Sequence, residues 1–389
     1  MASLKSHIMS PGAEESNGPE ALSSGTGLHI VPHDKPSPDT MRHLWETLGT
    51  GAAWSPFQSP GFLNCFQLAM VPAVRGHLSV LEVRREGSSD PLLLVPVLRR
   101  RRGPFRIATF PDLGVADQCG PAIARAGEAL SMSGEEFLEA ILSRLPDTDL
   151  LEIRNMPGAI GGMQNPLAAH PLARPVISNL ALDLQGKGDA SAWRRKRVFK
   201  QIRSKWKMLR GSGVEFAECR TASEQRDLID DILQLRQRRF QALGRFDTCQ
   251  LPERQAFYRA LTELAEPDNP TRGFALRCGD ETVAGLLLLE HGDMVNPVLI
   301  SIGAENWQRY SPGIVLMGQA IRHAEARGKR WFIFGTGLQD YKYRFGGTAF
   351  PMSDLVVPLT SAGELYLYLR RLKQIRKDLE ATLPVFSRS

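Results

Sequence analysis

Two short stretches of the chain hold residue types whose order has a chemical use. The first is Tyr310-Ser311-Pro312-Gly313, followed by Ile314 and Val315. Ser311 is placed to cap a helix, Pro312 suits its first turn, and Gly328 follows Arg327 where that helix should stop. The first turn of a helix has unpaired N–H groups and the positive end of the dipole, so Ser311, Gly313, Ile314 and Val315 would suit a phosphate; equally, Ser-Pro-Gly is a good helix start and nothing more. The second stretch is Gly335-Thr336-Gly337, then Asp340-Tyr341-Lys342-Tyr343-Arg344-Phe345. Tyr, Lys and Arg just past the end of a strand are either a solvated turn with aromatic anchors or a ligand loop.

The elements that position these stretches follow from periodicity. In the second half a strand at Val214 to Cys219 precedes helices at Ser223 to Leu243 and Pro252 to Glu266. Strands at Phe274–Arg277, Val283–Leu289 and Val295–Ile302 are separated by Cys278-Gly279-Asp280 and His291-Gly292-Asp293, which supply turns. The helix from Ser311 and a short strand, Trp331–Phe334, complete the unit. The first half repeats this order in weaker form: strand Leu28–Val31, helices at Pro38–Leu48 and Gly61–Met70, strands Leu78–Arg84 and Leu92–Leu98, helix Ser133–Leu145, strand Leu150–Ile153. The expected fold is therefore α/β (α+β), with two similar units in tandem, each a mainly antiparallel sheet flanked by helices.

The expected domains are a disordered tail over 1–27, an N-terminal unit over 28–183, a catalytic unit over 184–360 and an amphipathic helix over 361–389. That last helix rests on Leu365, Leu369, Leu372, Ile375 and Leu379, and should pack on the body or on a partner. Between the units lies a linker-like LQGKGDA stretch, then a basic helix over Trp193 to Arg210. Its apolar stripe is Trp193, Val198, Ile202, Trp206 and Leu209.

With 389 residues, 42% of them apolar, the chain has ample material for two cores. Its five cysteines are scattered and odd in number, which argues against a disulfide framework or a zinc knuckle. There is no H-E-x-x-H, G-x-S-x-G, Walker A or G-x-G-x-x-G pattern, so metal, serine-hydrolase, NTPase and dinucleotide readings lose ground; no metal is expected. The first residues lack a signal-peptide layout and no apolar run approaches the roughly 18 residues of a membrane span, so a soluble cytoplasmic protein is expected. Net charge is +6, yet nine basic residues fall between Arg194 and Arg210, leaving the remainder at −3. Basicity is local, and does not by itself mean nucleic-acid binding.

Tyr310-Ser311-Pro312-Gly313-x-x-Leu316, a helix ending at Gly328, an aromatic strand and Gly337-x-x-x-Tyr341-Lys342-x-x-Phe345 together resemble the CelD-like (BcsL) acetyltransferases of the GNAT superfamily. Pro56-Phe57-Gln58-Ser59-Pro60-x-Phe62 looks like that family's opening motif, and the basic helix is similar too. The resemblance implies an acyl-CoA-dependent acyltransferase, N-acetyl or O-acetyl, with acetyl-CoA or another acyl-CoA as co-substrate and a link to exopolysaccharide metabolism. The acceptor would be a small molecule, a saccharide or an amine. The pantetheine arm would run between two splayed strands, Val295–Ile302 and Trp331–Phe334, with Gly337 also at the cofactor. Tyr341 would be the acid, Asp340 or Glu290 the base, and Lys342 and Arg344 would bind an anionic substrate or the cofactor phosphates. The chain departs from the family where Ile333 and Gln339 stand in place of acidic residues. Two alternatives are a Fem-type aminoacyltransferase using charged tRNA and a non-catalytic GNAT-like binding protein. The sequence is also compatible with a homodimer.

Overall fold

The computed structural model describes residues 27–125, 133–186 and 193–382. The expected tail up to residue 26, the centre of the linker and the chain beyond Thr382 lie outside them. The first half runs β1 (Leu28–Asp34), α1 (Pro38–Thr47), α2 (Pro60–Ala73), β2 (His77–Arg85), β3 (Pro91–Arg102), β4 (Phe105–Thr109), β5 (Ala122–Ile123), α3 (Gly134–Leu142) and β6 (Leu150–Pro157). A short ladder of β7 (Ala159–Ile160) and β8 (Met163–Gln164) leads to β9 (Arg174–Asp183). The second half runs α4 (Arg197–Gly211), β10 (Glu215–Cys219), α5 (Ala222–Ala242), α6 (Pro252–Thr262), β11 (Thr271–Cys278), β12 (Glu281–His291) and β13 (Met294–Ile302). It ends with α7 (Glu305–Gln308), α8 (Pro312–Ala326), β14 (Trp331–Thr336), α9 (Asp340–Arg344), β15 (Thr348–Pro358) and α10 (Ser361–Thr382).

The repeat of element order expected from sequence is present, but the two halves share one sheet instead of owning two. Its strand order is β1-β2-β3-β4-β6-β15-β9-β14-β13-β12-β11-β10, with β5 beside β3. Read from either end the order is the same. Each half contributes an antiparallel meander, then a parallel pair, β4 with β6 and β13 with β14. Then the halves exchange their last strands: β9 of the first lies on β14 of the second, and β15 of the second lies on β6 of the first. The exchanged strands pair with each other at the centre, from Thr348 opposite Ala181 to Asp354 opposite Arg174.

One face of the sheet packs α1, α2, α5 and α6 over a core that includes Phe62, Phe66, Leu228, Ile232 and Phe257. The other packs α4 and α8 over Phe274, Leu286, Val295, Phe332 and Phe345. Helix α4 buries Val198, Phe199, Ile202 and Leu209, as its spacing required, with Trp206 half-buried. Helix α10 differs from its expectation: Leu365, Leu369, Leu372 and Ile375 are 41–51% exposed, because Gly363, Tyr366, Leu367 and Arg370 form the inner face instead. The side chain of Leu379 lies outside the described residues.

Candidate active site

Strands β13 and β14 pair through only two residue pairs, Met294 with Trp331 and Val295 with Phe332, and then part. Three local features open this gap. Val298 is an extra residue in β13, because Leu287 faces Leu299 while Leu288 faces Pro297, and a bulge bends the strand. Pro297 follows the last pair, where no N–H is needed for a ladder bond. Gly335 takes φ +75° and turns β14 away from Ile333 onward. The two splayed strands are the pair expected from sequence.

A segment from the other half of the chain reaches the edge of the gap. The segment from Phe110 to Pro121, between β4 and β5, crosses the sheet and delivers Asp117 to the C-terminal end of β14. Thr336 Oγ1 donates to Asp117 Oδ1 at 2.9 Å. A Cβ on Gly335 would stand 2.6 Å from Asp117 Oδ2 and 3.4 Å from the Pro297 carbonyl oxygen, so glycine here makes room for the carboxylate. The segment is held at several points. Asn179 Nδ2 donates to the Asp117 carbonyl at 3.0 Å, Gln58 Nε2 to the Gln118 carbonyl at 2.9 Å, and Arg254 to the Leu113 carbonyl at 2.7 Å. Gln58 is fully buried and also bonds Ser55, so the Pro56–Phe62 motif serves as the clamp for this loop.

Burial pushes the Asp117 carboxyl above the usual aspartate range, against the pull of the Thr336 hydrogen bonds and the Lys342 ammonium. Tyr341 is half-buried, and burial, with the Asp117 charge, raises its phenol. Asn296 and Asn179 are fully buried on the same face of the sheet as Asp117. Both polar atoms of the Asn296 amide and Asn179 Oδ1 lack a partner among the described residues. Buried amides are normally satisfied, so unpaired ones beside a gap between strands are available to bond water or a ligand.

The helix start is less generous than expected. Ser311 is the N-cap of α8, but its backbone is left-handed (φ +53°) and its hydroxyl makes no capping bond. Ile314 and Val315 N–H both donate to the Ser311 carbonyl, at 3.0 and 3.1 Å. This leaves Gly313 N–H as the first-turn amide without a backbone acceptor among the described residues. A Cβ on Gly313 would make only ordinary contacts, 3.8 Å or more, to Ile300 and Ile302. The protein itself does not require glycine there.

Five of the residues assigned from sequence are engaged otherwise in the structure. Lys342 is 2% exposed, and its ammonium donates to the carbonyls of Gly335, Thr336 and Gly337 at 2.7–2.8 Å. It holds the turn after β14 and has no proton left for an anion; burial pulls its pKa down to about 8. Glu290 is buried beside Arg272, Arg327 and Lys329, and the last two follow the C-terminal end of α8. Its carboxylate is thus engaged by cations near the C-terminal end of α8, at the end of that helix opposite Gly313. Asp340 is exposed at the start of α9, outside the gap. Arg344 is exposed and donates to Gln201 of α4 at 2.9 Å, tying α9 to the basic helix. Gly337, with φ +90°, belongs to the turn that Lys342 holds. Asp117, Asn179 and Asn296 escape a reading by motif because they converge only once the two halves share a sheet. The local signals were Pro297 inside a strand and Gly335 at a strand end. In the first half, Ser133 and Glu136 form a reciprocal cap on α3, in keeping with a carboxylate-bearing start that would repel phosphate.

A strand-and-helix unit with one splayed parallel pair defines a class, and the comparisons agree with it. Residues 195–343, from α4 to α9, match the family model described as an acetyltransferase (GNAT) domain. The second half therefore matches a GNAT acetyltransferase domain, which supports a GNAT-type acyltransferase. No curated protein matches it in sequence. Among solved structures it is similar to FemX, at 11% identity over 82% of this chain and 96% of that one, with a TM-score of 0.56. It is similar to L-PGS from Bacillus licheniformis at 11% identity, over 87% and 98% of the two chains, with a TM-score of 0.53. The C-terminal domain of a putative lysylphosphatidylglycerol synthetase from Agrobacterium fabrum gives 13% identity, 85% and 96% coverage and a TM-score of 0.52. At these identities the likeness is one of fold. No described helix is long and apolar enough to cross a membrane, and the described residues hold no cluster of metal-ligating side chains.

Proposed function

We propose that the protein transfers an acyl group, acetyl in the first instance, from acyl-CoA to an amine or hydroxyl in the gap between β13 and β14. The observation that carries this is the delivery of Asp117, a carboxylate with a raised pKa, to a gap lined by the unpaired amides of Asn296 and Asn179. When bound, the CoA thioester supplies the acyl group and a leaving thiolate. Asp117 removes the proton of the attacking amine or hydroxyl. Asn296 and Asn179 orient the acyl group and the acceptor. Tyr341, whose raised pKa keeps it protonated at neutral pH, returns a proton to the thiolate sulfur. Gly313 N–H, beside a helix start open to approach, meets a cofactor phosphate.

The acceptor class is a small amine or saccharide, and a role in exopolysaccharide metabolism in the cytoplasm is consistent with it. The test is release of free thiol from acetyl-CoA in the presence of amino sugars and simple amines, with Asp117→Asn as control. Thiol release that needs both an acceptor and Asp117 is expected; equal release by Asp117→Asn would remove the carboxylate from the mechanism. Likeness to FemX and to L-PGS favours a second donor, aminoacyl-tRNA, with the exposed basic face of α4 as its phosphate contact. Calorimetric titration separates the two. Binding of acetyl-CoA but not of tRNA is expected, and the converse would move the donor to the aminoacyl class.

A further inference from the structure

A second cavity, of 480 Å³, lies where the two halves meet, near the start of β13 and away from Gly313. Its volume falls in the range of roughly 300–1,000 Å³ usual for small-molecule sites, and interfaces between units are a common place for them. The first half lines it with Trp45 and Trp54, the second with Asn269, Glu290 and His291. The Trp54 and His291 rings stack, with centroids 4.4 Å apart and planes 26° from parallel. His291 is half-buried, and desolvation with the nearby Lys329 pulls its pKa down to about 4, so the pair is an uncharged aromatic platform at neutral pH.

The polar atoms of this cavity point to the kind of ligand it takes. The indole N–H groups of Trp45 and Trp54 are buried without a partner among the described residues, as is Glu290 Oε1. Trp45 is 3% exposed, and a buried indole N–H normally finds an acceptor. The formal charges are already answered: Arg42 pairs with Asp268, and Glu290 lies 3.4–3.6 Å from Arg272, Arg327 and Lys329. Of the lining charges Glu46 alone lacks a close partner, and it is exposed, 4.0 Å from His43, so the buried polar atoms themselves call for no ionic ligand. What is missing is a neutral group that accepts from two indoles, donates to a carboxylate oxygen and lays an apolar face on a ring. Hydroxyls on a pyranose ring do all three.

We propose that this cavity binds a neutral sugar unit of a glycan, at a site separate from the gap between β13 and β14. The test is calorimetric titration of the full chain with cellotetraose, maltotetraose and chitotetraose. At least one should bind saturably at millimolar concentration. Trp45→Phe keeps the packing and removes one donor, so it should weaken that binding about threefold to tenfold, the scale of one hydrogen bond. Trp54→Ala, at a half-buried position, should abolish it, while circular dichroism reports that the fold is kept. No saturable heat with any of the three tetrasaccharides overturns the proposal, as does unchanged binding in Trp45→Phe. Neither result depends on acyl transfer, so thiol release measured alongside judges the other site independently.

Discussion

Asp117 carries opposite obligations to stability and to chemistry. Its folded pKa is raised, so the folded state binds more protons than the unfolded chain between the ordinary aspartate value of 3.8 and the raised one. Its contribution to stability therefore falls as pH rises through that window and stays unfavourable at neutral pH. Asp117→Asn should melt no lower than the parent at pH 7, by calorimetry, while turnover drops by roughly 10²–10⁴. The acid limb of the parent's kcat/KM profile should lie above the ordinary aspartate range. Tyr341→Phe should keep acetyl-CoA affinity and lower turnover by about a hundredfold. Lys342 predicts the reverse pattern. Lys342→Met leaves three carbonyls without their donor and should cost on the order of 3 kcal/mol in urea unfolding, with any loss of activity following loss of fold. From sequence, Tyr341 and Lys342 looked like neighbours in one ligand loop. A single turn of helix sends one toward the gap and the other into the protein, and adjacency along the chain could not tell them apart.

At the scale of elements, most of the strands and helices were legible because each has its own period and its own punctuation. Helix α8 begins at Pro312 and β12 and β13 flank a Gly-Asp turn, as their residues required. The strands missed were the two-residue β5, β7 and β8 and the longer β4, β9 and β15. Two of the longer ones, β9 and β15, are the exchanged strands, and β15 holds Pro351 and Asp354, which argue locally against a strand. The exchanged pair are strands because of what lies beside them, and that partner is far away in sequence. The same limit hid Asp117, whose loop has no chemistry until it reaches β14. The start of α8 gives a test at this scale. Gly313→Asp puts a negative charge at the free amide while a side chain there meets only ordinary contacts, so acetyl-CoA affinity should fall at least tenfold with little change in melting temperature. Unchanged affinity would leave α8 as a well-started helix and nothing more.

For the whole molecule, the exchange of β9 and β15 makes the halves mutually dependent. Residues 28–183 expressed alone would keep β9 without either of its neighbours and β6 without β15. Such a fragment should be aggregated or largely unfolded by size-exclusion chromatography and circular dichroism, and mixing it with the second half should recover soluble protein. A stable, monomeric first half would show that the central ladder is dispensable.

That arrangement also sets a timetable for the chain as it is made. Strand β6 ends at Pro157, yet the strand that covers its edge begins at Thr348, roughly 190 residues later. At about 5–20 residues per second, the ribosome takes on the order of ten to forty seconds to supply it. Throughout that interval the nascent first half has an open sheet edge, the kind that pairs with other chains. A stop codon, a stall or a frameshift anywhere between α4 and α9 would make that interval permanent. Truncated products should therefore appear with chaperones or in inclusion bodies, however well their remaining elements form.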